Sequence, residues 1–151
     1  MVKTYVLDTN VLIQAPYALE CFEDNQVILP VVVLEELDKL KNAEGEKGYN
    51  ARTAIRFLEE HRLKGNLLEG VALENGGSLK VETNFVNVEL PPDMPEDRMD
   101  NRILKVCLGL MEKNQNPVVL VTKDLLLRVK AQIIGVRAED FTTEQVTQEG
   151  G

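Results

Sequence analysis

The 151-residue chain has no tryptophan, one histidine and two cysteines, and these scarcities narrow the kinds of site it can carry. Cys21 and Cys107 stand among apolar neighbours without the spacing of a metal-binding motif. We therefore expect both to be reduced core residues of an intracellular, cytoplasmic protein. His61 lies in a charged helical segment and is expected at the surface. The sequence thus contains no cluster of histidine and cysteine that would compete for a metal ion.

Long apolar stretches are also missing. Crossing a bilayer takes about 18 consecutive apolar residues, and no such run occurs, so no membrane span is expected. The first residues lead directly into a strand-like run that contains Asp8, which argues against a secretory signal. The Gly-x-x-x-x-Gly-Lys-Ser/Thr loop that holds nucleotide phosphates is absent as well.

Positive charge is in deficit, with 17 basic residues against 25 acidic ones and a net charge of −8. Phosphate binding depends mainly on lysine and arginine, so this balance argues against a nucleic-acid partner. Net charge does not locate the charges, however, and bound divalent cations with a local basic rim can also hold phosphates. The acidic excess is therefore informative only if some of the acids converge.

Apolar patterning predicts alternating strands and helices. We expect strands at 6–7, 27–29, 118–121 and from 136, with helices at 17–22, 31–41, 50–64, 97–113 and 123–134. A β-hairpin insertion is expected around 71–90, turning at Asn75-Gly76-Gly77, and an exposed connector at 42–48. This alternation predicts a mostly parallel sheet with helices on both faces. We expect one domain over 1–141 and a polar tail or linker over 142–151.

Four acids stand near the carboxyl end of a predicted strand or the start of a helix: Asp8, Glu36, Asp100 and Asp124. In open α/β sheets, ligands bind at that edge. Helical geometry favours Glu36 over Glu35, because Glu36 borders the apolar stripe of its helix whereas Glu35 lies nearly opposite it. The same test places Asp100 beside an apolar stripe, with Asp97 one turn earlier as a reserve candidate.

Each acid also has a structural interpretation. Asp8 or Asn10 could cap a helix, Asp100 and Asp124 could be first-turn acids, and Glu36 could lie on a solvated face. Converging carboxylates, however, repel one another unless a cation lies between them. Mg²⁺ and Mn²⁺ prefer such oxygen ligands, and a bound ion can activate water for attack on phosphorus. Asn10 and Thr122 could orient the carboxylates or metal-bound water, or merely cap a helix and end a strand.

Four segments, in chain order, resemble the four motifs of the PIN domain family. They are Val6-Leu7-Asp8-Thr9-Asn10-Val11-Leu12, Val33-Leu34-Glu35-Glu36-Leu37, Asp100-Asn101-Arg102-Ile103-Leu104 and Val121-Thr122-Lys123-Asp124. Finer features resemble the PIN domain that precedes a PhoH-type ATPase in bacterial two-domain proteins. These are 18–25, Gly48-Tyr49-Asn50-Ala51-Arg52, the Asn75-Gly76-Gly77 hairpin and Leu127-Arg128-Val129-Lys130-Ala131.

This resemblance implies a three-layer α/β/α sandwich and a metal-dependent endoribonuclease that leaves a 5′-phosphate and a 3′-hydroxyl. It also implies that Asp8, Glu36, Asp100 and Asp124 ligate Mg²⁺ or Mn²⁺. The ATPase half is missing from this sequence, so we expect either an excised domain or a stand-alone relative, and a homo-oligomer is plausible for the family.

Candidate contacts to the RNA strand are Arg102, Lys123, Arg52 and Arg128, which alternatively serve as ordinary solvated charges or ion-pair partners. Aromatics are few and scattered, so no platform for stacking bases is expected and little sequence specificity follows. Two other functions stay open: a non-catalytic module that binds RNA or protein, and an aspartate-based phosphatase. The second lacks a further acid where Asn10 stands.

Overall fold

The computed structural model describes residues 2–83, 85, 87–113 and 116–142. In chain order the strands are β1 (Thr4–Leu7), β2 (Gln26–Pro30), β3 (Val71–Ala72), β4 (Ser78–Glu82), β5 (Val118–Val121) and β6 (Arg137–Glu139). The helices are α1 (Thr9–Gln14), α2 (Val31–Leu40), α3 (Gly45–Arg62), α4 (Met99–Lys113) and α5 (Leu125–Ile133), with a 3₁₀ helix at Pro16–Glu20. No helix in these ranges is both long enough and apolar enough to cross a membrane.

The described strands form one six-stranded sheet in the order β3-β4-β2-β1-β5-β6. β1 pairs in parallel with β2 and β5, β2 with β4, and β5 with β6, whereas β3 and β4 are antiparallel. Strands covered by helices on both faces need apolar residues at every position, and all four residues of β5 are buried. The mostly parallel, three-layer α/β/α architecture is therefore confirmed.

The hairpin of β3 and β4 is part of the sheet, because β4 also pairs in parallel with β2. Its turn packs tightly on the loop before β2. A Cβ atom on Gly77 would lie 2.5 Å from the Asn25 carbonyl oxygen and 2.7 Å from that of Glu23. Gly76 adopts φ +92°, which glycine tolerates best. The expected hairpin is thus confirmed at 71–82, and residues 84 and 86 of its expected range lie outside the described residues.

Chain order places a topological switch point beside β1. The chain leaves β1 for β2 on one side, and β5 returns to pair on the other side. Helices that start from two such neighbouring strands diverge, and the crevice between them is where ligands bind in parallel sheets. Asp8 directly follows β1 and Asp124 lies three residues after β5, so both belong to this crevice edge.

Two expectations about α3 were wrong. The connector predicted at 42–48 is shorter, since α3 begins at Gly45, whose φ of +76° makes the turn after α2. His61 is only 5% exposed, with its ring stacked on Phe57 at 4.2 Å between ring centroids. The hairpin residues Leu73 to Asn75 line the same cavity as His61. The charged neighbours of His61 in the sequence do not indicate that its side chain is buried.

The cysteines behave as expected within the described residues. Cys107 is fully buried in the core, and burial raises the pKa of its thiol. Cys21 is half-buried and packs against the core. Residues 143–151 of the expected tail lie outside the described residues.

Candidate metal centre

Asp8 occupies the centre of the site, between the end of β1 and the start of α1. Its backbone is extended, with φ −80° and ψ 156°, and its Oδ1 accepts a hydrogen bond from the Thr9 backbone amide at 2.7 Å. It therefore caps α1, as the structural interpretation proposed. Asp8 is only 8% exposed, so its carboxylate is largely shielded from solvent. Capping uses one carboxylate oxygen and leaves the other for additional partners.

Those partners are Thr122 and Asn10. The Thr122 hydroxyl donates to Asp8 Oδ2 at 2.8 Å, and Asn10 Nδ2 donates to the same oxygen at 3.1 Å. Asn10 Oδ1 accepts from the Lys123 backbone amide at 3.0 Å, and Thr122 Oγ1 accepts from the amide of Asp124 at 3.1 Å. The network connects the ends of β1 and β5 and fixes the orientation of the Asp8 carboxylate.

All four acids of the sequence motifs border two cavities that share Asp8. One, of about 370 Å³, is lined by Asp8, Asp100 and Asp124 together with Arg98 and Met99. The other, of about 270 Å³, brings Glu36 and Lys47 to Asp8. Asp97, the reserve candidate, is exposed and lines neither cavity. Four separate segments of the chain thus place carboxylates around one position.

The pKa values of Asp8 and Asp100 are shifted in opposite directions. Burial raises the pKa of Asp8, and the negative charges of Asp124 and Asp100 add to that rise, against the hydrogen bonds from Thr122 and Thr9. For Asp100, burial acts in the same direction. Hydrogen bonds and positive charge from Lys130 and Arg98 outweigh it and lower the Asp100 pKa below its ordinary value. The site therefore holds one carboxylate with an unfavourable charge and one that is neutralised by cations.

Two of the acids are engaged elsewhere. Lys130 Nζ lies 2.9 Å from Asp100 Oδ2, and Arg98 Nε lies 3.2 Å from Asp100 Oδ1. Asp124 Oδ1 caps α5 by accepting from the amides of Leu126 at 2.9 Å and Leu127 at 3.3 Å. Within the described ranges, no three His, Cys, Asp or Glu side chains are close enough together to hold one metal ion. The carboxylates surround a shared space but do not converge on one point.

The chemistry of the donors nevertheless fits a hard divalent cation. Carboxylate, amide and hydroxyl oxygens line the cavities, and these are the ligands that Mg²⁺ and Mn²⁺ prefer. Glu36 makes no hydrogen bond or ion pair with another described residue, and the buried Thr9 hydroxyl also has no such partner. A cation would stabilise the charge of Asp8, which burial and the neighbouring carboxylates disfavour. Asp8, Asp100 and Asp124 all have hydrogen-bond partners within the chain, which a bound cation would have to replace or share.

The four basic residues predicted to contact RNA all have partners within the chain. Arg102 donates to the Glu96 carbonyl at 2.9 Å, Arg52 to that of Lys41 at 2.7 Å and Arg128 to that of Thr122 at 2.8 Å. Lys123 donates to the Phe141 carbonyl and lies 3.0 Å from Asp140 Oδ1. Their role in RNA binding stays a prediction, and each has a structural task as well.

Three other cations lie closer to the acids. Arg98 lines the cavity of Asp100, Lys130 contacts Asp100 directly, and Lys47 lines the cavity of Glu36. Arg98 stands two residues before Asp100 in the sequence, which mirrors the position of Arg102 two residues after it, and this symmetry was the available signal. From the sequence, Lys130 is a candidate phosphate contact that follows Asp124. Nothing in the sequence pairs it with Asp100, 30 residues away.

A family model described as "PIN domain" matches residues 5–142 of the chain. Three curated proteins named PhoH2 are similar to it. The chain is 46% identical to that of Bacillus subtilis over 97% of its length, 37% to that of Thermobispora bispora over 98%, and 39% to that of Mycolicibacterium smegmatis over 99%. It spans only about a third (34%) of the length of each of these relatives.

Two solved structures share the fold. One is a domain of a functionally unknown protein from Methanocaldococcus jannaschii, with a TM-score of 0.56, 23% identity and coverage of 93% of this chain and 92% of that one. The other is a PilT N-terminus domain protein from Sulfolobus solfataricus, with a TM-score of 0.58, 12% identity and coverage of 97% and 92%. At these identities the likeness concerns the fold alone.

Proposed function

Because this chain belongs to the PIN domain family, whose members are generally nucleases, we propose that it is a metal-dependent endoribonuclease. Its substrate is single-stranded RNA, which it hydrolyses to leave a 5′-phosphate and a 3′-hydroxyl. The observation that supports this proposal most is the arrangement of Asp8, Asp100, Asp124 and Glu36 around two cavities that share Asp8. Acids from four distant segments meet at the edge of the sheet where parallel folds bind ligands.

Asp8 is the central ligand of this proposal. Thr122 and Asn10 hold its carboxylate in one orientation, so it is preorganised to bind a cation. Asp100, Asp124 and Glu36 complete the ligand set for Mg²⁺ or Mn²⁺. When bound, such an ion activates water for attack on phosphorus and stabilises the leaving oxygen. Burial leaves the Asp8 carboxylate with little water around it, so a bound cation would stabilise its negative charge.

The cations around the acids then serve the substrate. Arg98 and Lys47 line the two cavities, where a phosphodiester backbone would pass, and lysine and arginine are the usual partners of phosphates. Arg102, Lys123, Arg52 and Arg128 remain candidate contacts along the strand. These contacts recognise the backbone and not the bases, so little sequence preference is expected.

The PhoH2 relatives are about three times as long as the matched segment, which is consistent with a PIN domain joined to a PhoH-type ATPase. We propose that this chain is the nuclease half of such a protein and that it can form homo-oligomers.

A second candidate function is a PIN-like module that binds RNA or protein without cutting it. One observation favours it: Asp100 forms ion pairs with Lys130 and Arg98, and the described residues contain no group of three His, Cys, Asp or Glu side chains that could hold a metal ion. A module of this kind would use its acids only to cap helices and pair with cations.

Cleavage of an end-labelled single-stranded RNA separates the two functions. Wild-type protein should cut with Mn²⁺ or Mg²⁺ and stop when chelator is added. Asp8→Asn should reduce the rate at least about 100-fold, since the central ligand loses its charge. Asp38→Asn is the matched control, because Asp38 is exposed and, among the described residues, pairs only with Lys41. Equal cleavage by wild type and Asp8→Asn would remove this site as the cause, and absence of cleavage in every condition would favour the binding module.

A further inference from the structure

The outward face of α5 is apolar, which is unusual for a helix at the surface of a protein. Its inward face is buried through Leu127 and Ala131, which belong to the core. On the other side, four hydrophobic residues between 44% and 70% exposed cover an arc of about 100° at helical spacing: Leu125, Leu126, Val129 and Ile133. A helix that is hydrophobic all round is normally covered on every side, and contiguous apolar patches mark interaction sites.

This apolar face continues onto β6, the strand at one edge of the sheet. A groove of about 500 Å³ is lined by Leu125 and Val129 of α5 and by Arg137 and Ala138 of β6. Among the described residues, β6 pairs only with β5, so its other side has no strand partner there. An unpaired strand edge is a template for a further strand. The exposed apolar residues of α5 and the edge of β6 thus form one surface, which we call the α5–β6 surface.

The charges of β6 complement those of a second copy of the same strand. Ala138 packs against the core, so Arg137 and Glu139 project together from the opposite face of β6. Neither forms an ion pair or a side-chain hydrogen bond with another described residue. Charges on an edge strand usually discourage pairing. In an antiparallel pair centred on Ala138, however, Arg137 lies opposite the partner's Glu139 and Glu139 opposite the partner's Arg137. Such a pair gains two cross-strand ion pairs.

The same arrangement covers the apolar face of α5. The two-fold axis of an antiparallel strand pair lies perpendicular to the sheet, so helices on one face of the sheet stay on that face in both copies. The two α5 helices then lie side by side across the axis. Acidic residues, whose repulsion opposes self-association in a chain of net charge −8, are absent from 125–138. Both the strand edge and the helix face therefore suit a second copy of this chain.

We propose that the chain forms a two-fold dimer through the α5–β6 surface, in which the two β6 strands pair antiparallel and join the two sheets. This dimer rests on the proposed homo-oligomer, whose interface it defines, and not on RNA cleavage. Antiparallel pairing turns the carboxyl edges of the two sheets in opposite directions. The two metal centres therefore open on opposite sides of the dimer, and neither contributes a residue to the interface.

Sedimentation velocity of the chelator-treated protein, from about 1 to 500 μM, tests the dimer. Wild type should pass from monomer to dimer with a dissociation constant on the order of micromolar, as expected for a small interface. Val129→Glu places a carboxylate in the groove and opposite its copy across the axis, so the dimer should weaken at least about tenfold. Circular dichroism checks that each variant keeps its secondary structure.

Reversing the charges of β6 tests the strand pairing itself. Arg137→Glu sets carboxylate against carboxylate in the homodimer, and Glu139→Arg sets guanidinium against guanidinium. Each should weaken the dimer roughly tenfold. An equimolar mixture of the two variants should regain the wild-type affinity, because every cross-strand pair in the mixed dimer is of opposite sign.

Lys64→Glu is the matched control for net charge, since it makes the same change as Arg137→Glu. Lys64 is exposed and lines a cavity with residues of the β3–β4 hairpin, at the other edge of the sheet. This variant should dimerise like wild type.

Recovery in the mixture supports the antiparallel pairing of β6, and loss of dimer in Val129→Glu supports the contact between the α5 helices. Wild type that stays monomeric up to about 500 μM overturns the dimer. It leaves the nuclease proposal standing, because RNA cleavage by the same protein is measured separately. A dimer that all three interface variants leave intact uses another surface and overturns this one, although the proposed homo-oligomer would stand. A mixture of the two charge variants that stays monomeric also overturns the pairing.

Discussion

Lys130 places its ammonium nitrogen 2.9 Å from Oδ2 of Asp100, so a cation of the protein itself lies at the edge of the proposed metal centre. Arg98 contacts the other oxygen of the same carboxylate. Both lower the pKa of Asp100 and compensate its charge in the absence of metal. A divalent ion that takes Asp100 as a ligand must compete with this pairing. Lys130, a residue of α5, is therefore expected to weaken metal binding at the site.

Lys130→Met should therefore bind Mn²⁺ more tightly, by roughly three- to tenfold, because one positive charge is removed beside the site. Titration of Mn²⁺ followed by electron paramagnetic resonance measures the affinity. Lys130→Arg keeps the charge and should stay close to wild type. Unchanged affinity in Lys130→Met would mean that Lys130 does not compete with the metal.

The raised pKa of Asp8 predicts a pH dependence of stability in the metal-free protein. A carboxyl with a higher pKa in the folded chain binds more protons when folded. Its contribution to the free energy of unfolding therefore rises as the pH falls from the raised pKa towards the ordinary value of 3.8. Above the raised pKa the carboxyl is charged in both the folded and the unfolded chain, so its destabilising effect no longer changes with pH.

Urea unfolding with chelator, between about pH 4 and 7, compares wild type with Asp8→Asn across this window. Wild type should gain stability relative to the variant as the pH falls, whatever the constant effect of the substitution. A difference between wild type and Asp8→Asn that does not depend on pH would refute the raised pKa.

Replacing Gly48 by alanine should lower the stability of the protein, although alanine has the higher helix propensity. It lies inside α3, where alanine usually stabilises by about 1 kcal/mol relative to glycine. A Cβ atom at this position would lie far inside van der Waals distance of the Ala43 carbonyl oxygen, in the turn after α2. Gly48→Ala should therefore destabilise by about 2 kcal/mol or more, measured by urea unfolding.

Gly65→Ala is the matched control, because the nearest atom to its Cβ would be Val71 Cγ2 at 3.4 Å. Its effect should stay within about 0.5 kcal/mol. A Gly48→Ala variant as stable as wild type would show that the turn between α2 and α3 relaxes at little cost.

The sequence carried enough information for the sheet and for the position of the acids. Continuous apolar runs such as 118–121 indicate strands buried on both faces, and the acids that follow such runs fall at one edge of a parallel sheet. Asn10 and Thr122 could also be named in advance, since they flank Asp8 and Asp124 in the sequence. The pattern of residues along the chain was sufficient to predict these features.

Contacts between distant segments could not be predicted in this way. His61 is buried and lines a cavity together with a hairpin that follows it in the chain, and Lys130 reaches Asp100 from another helix. Tyr17 and Tyr49 are far apart in the sequence, yet folding places both on the wall of one cavity. In each case the decisive partner is a side chain whose position depends on how two elements pack, which periodicity along one element does not report.

The most direct test of the central claim is the chemistry of the RNA product formed in ¹⁸O-labelled water with Mn²⁺. Hydrolysis at the Asp8 site predicts a 5′-phosphate that contains one ¹⁸O atom and a 3′-hydroxyl on the other fragment, detected by mass spectrometry. Asp8→Asn should abolish this product, whereas Asp38→Asn should not. A 2′,3′-cyclic phosphate without label, or labelled product from Asp8→Asn at the wild-type rate, would contradict metal-dependent hydrolysis at this site.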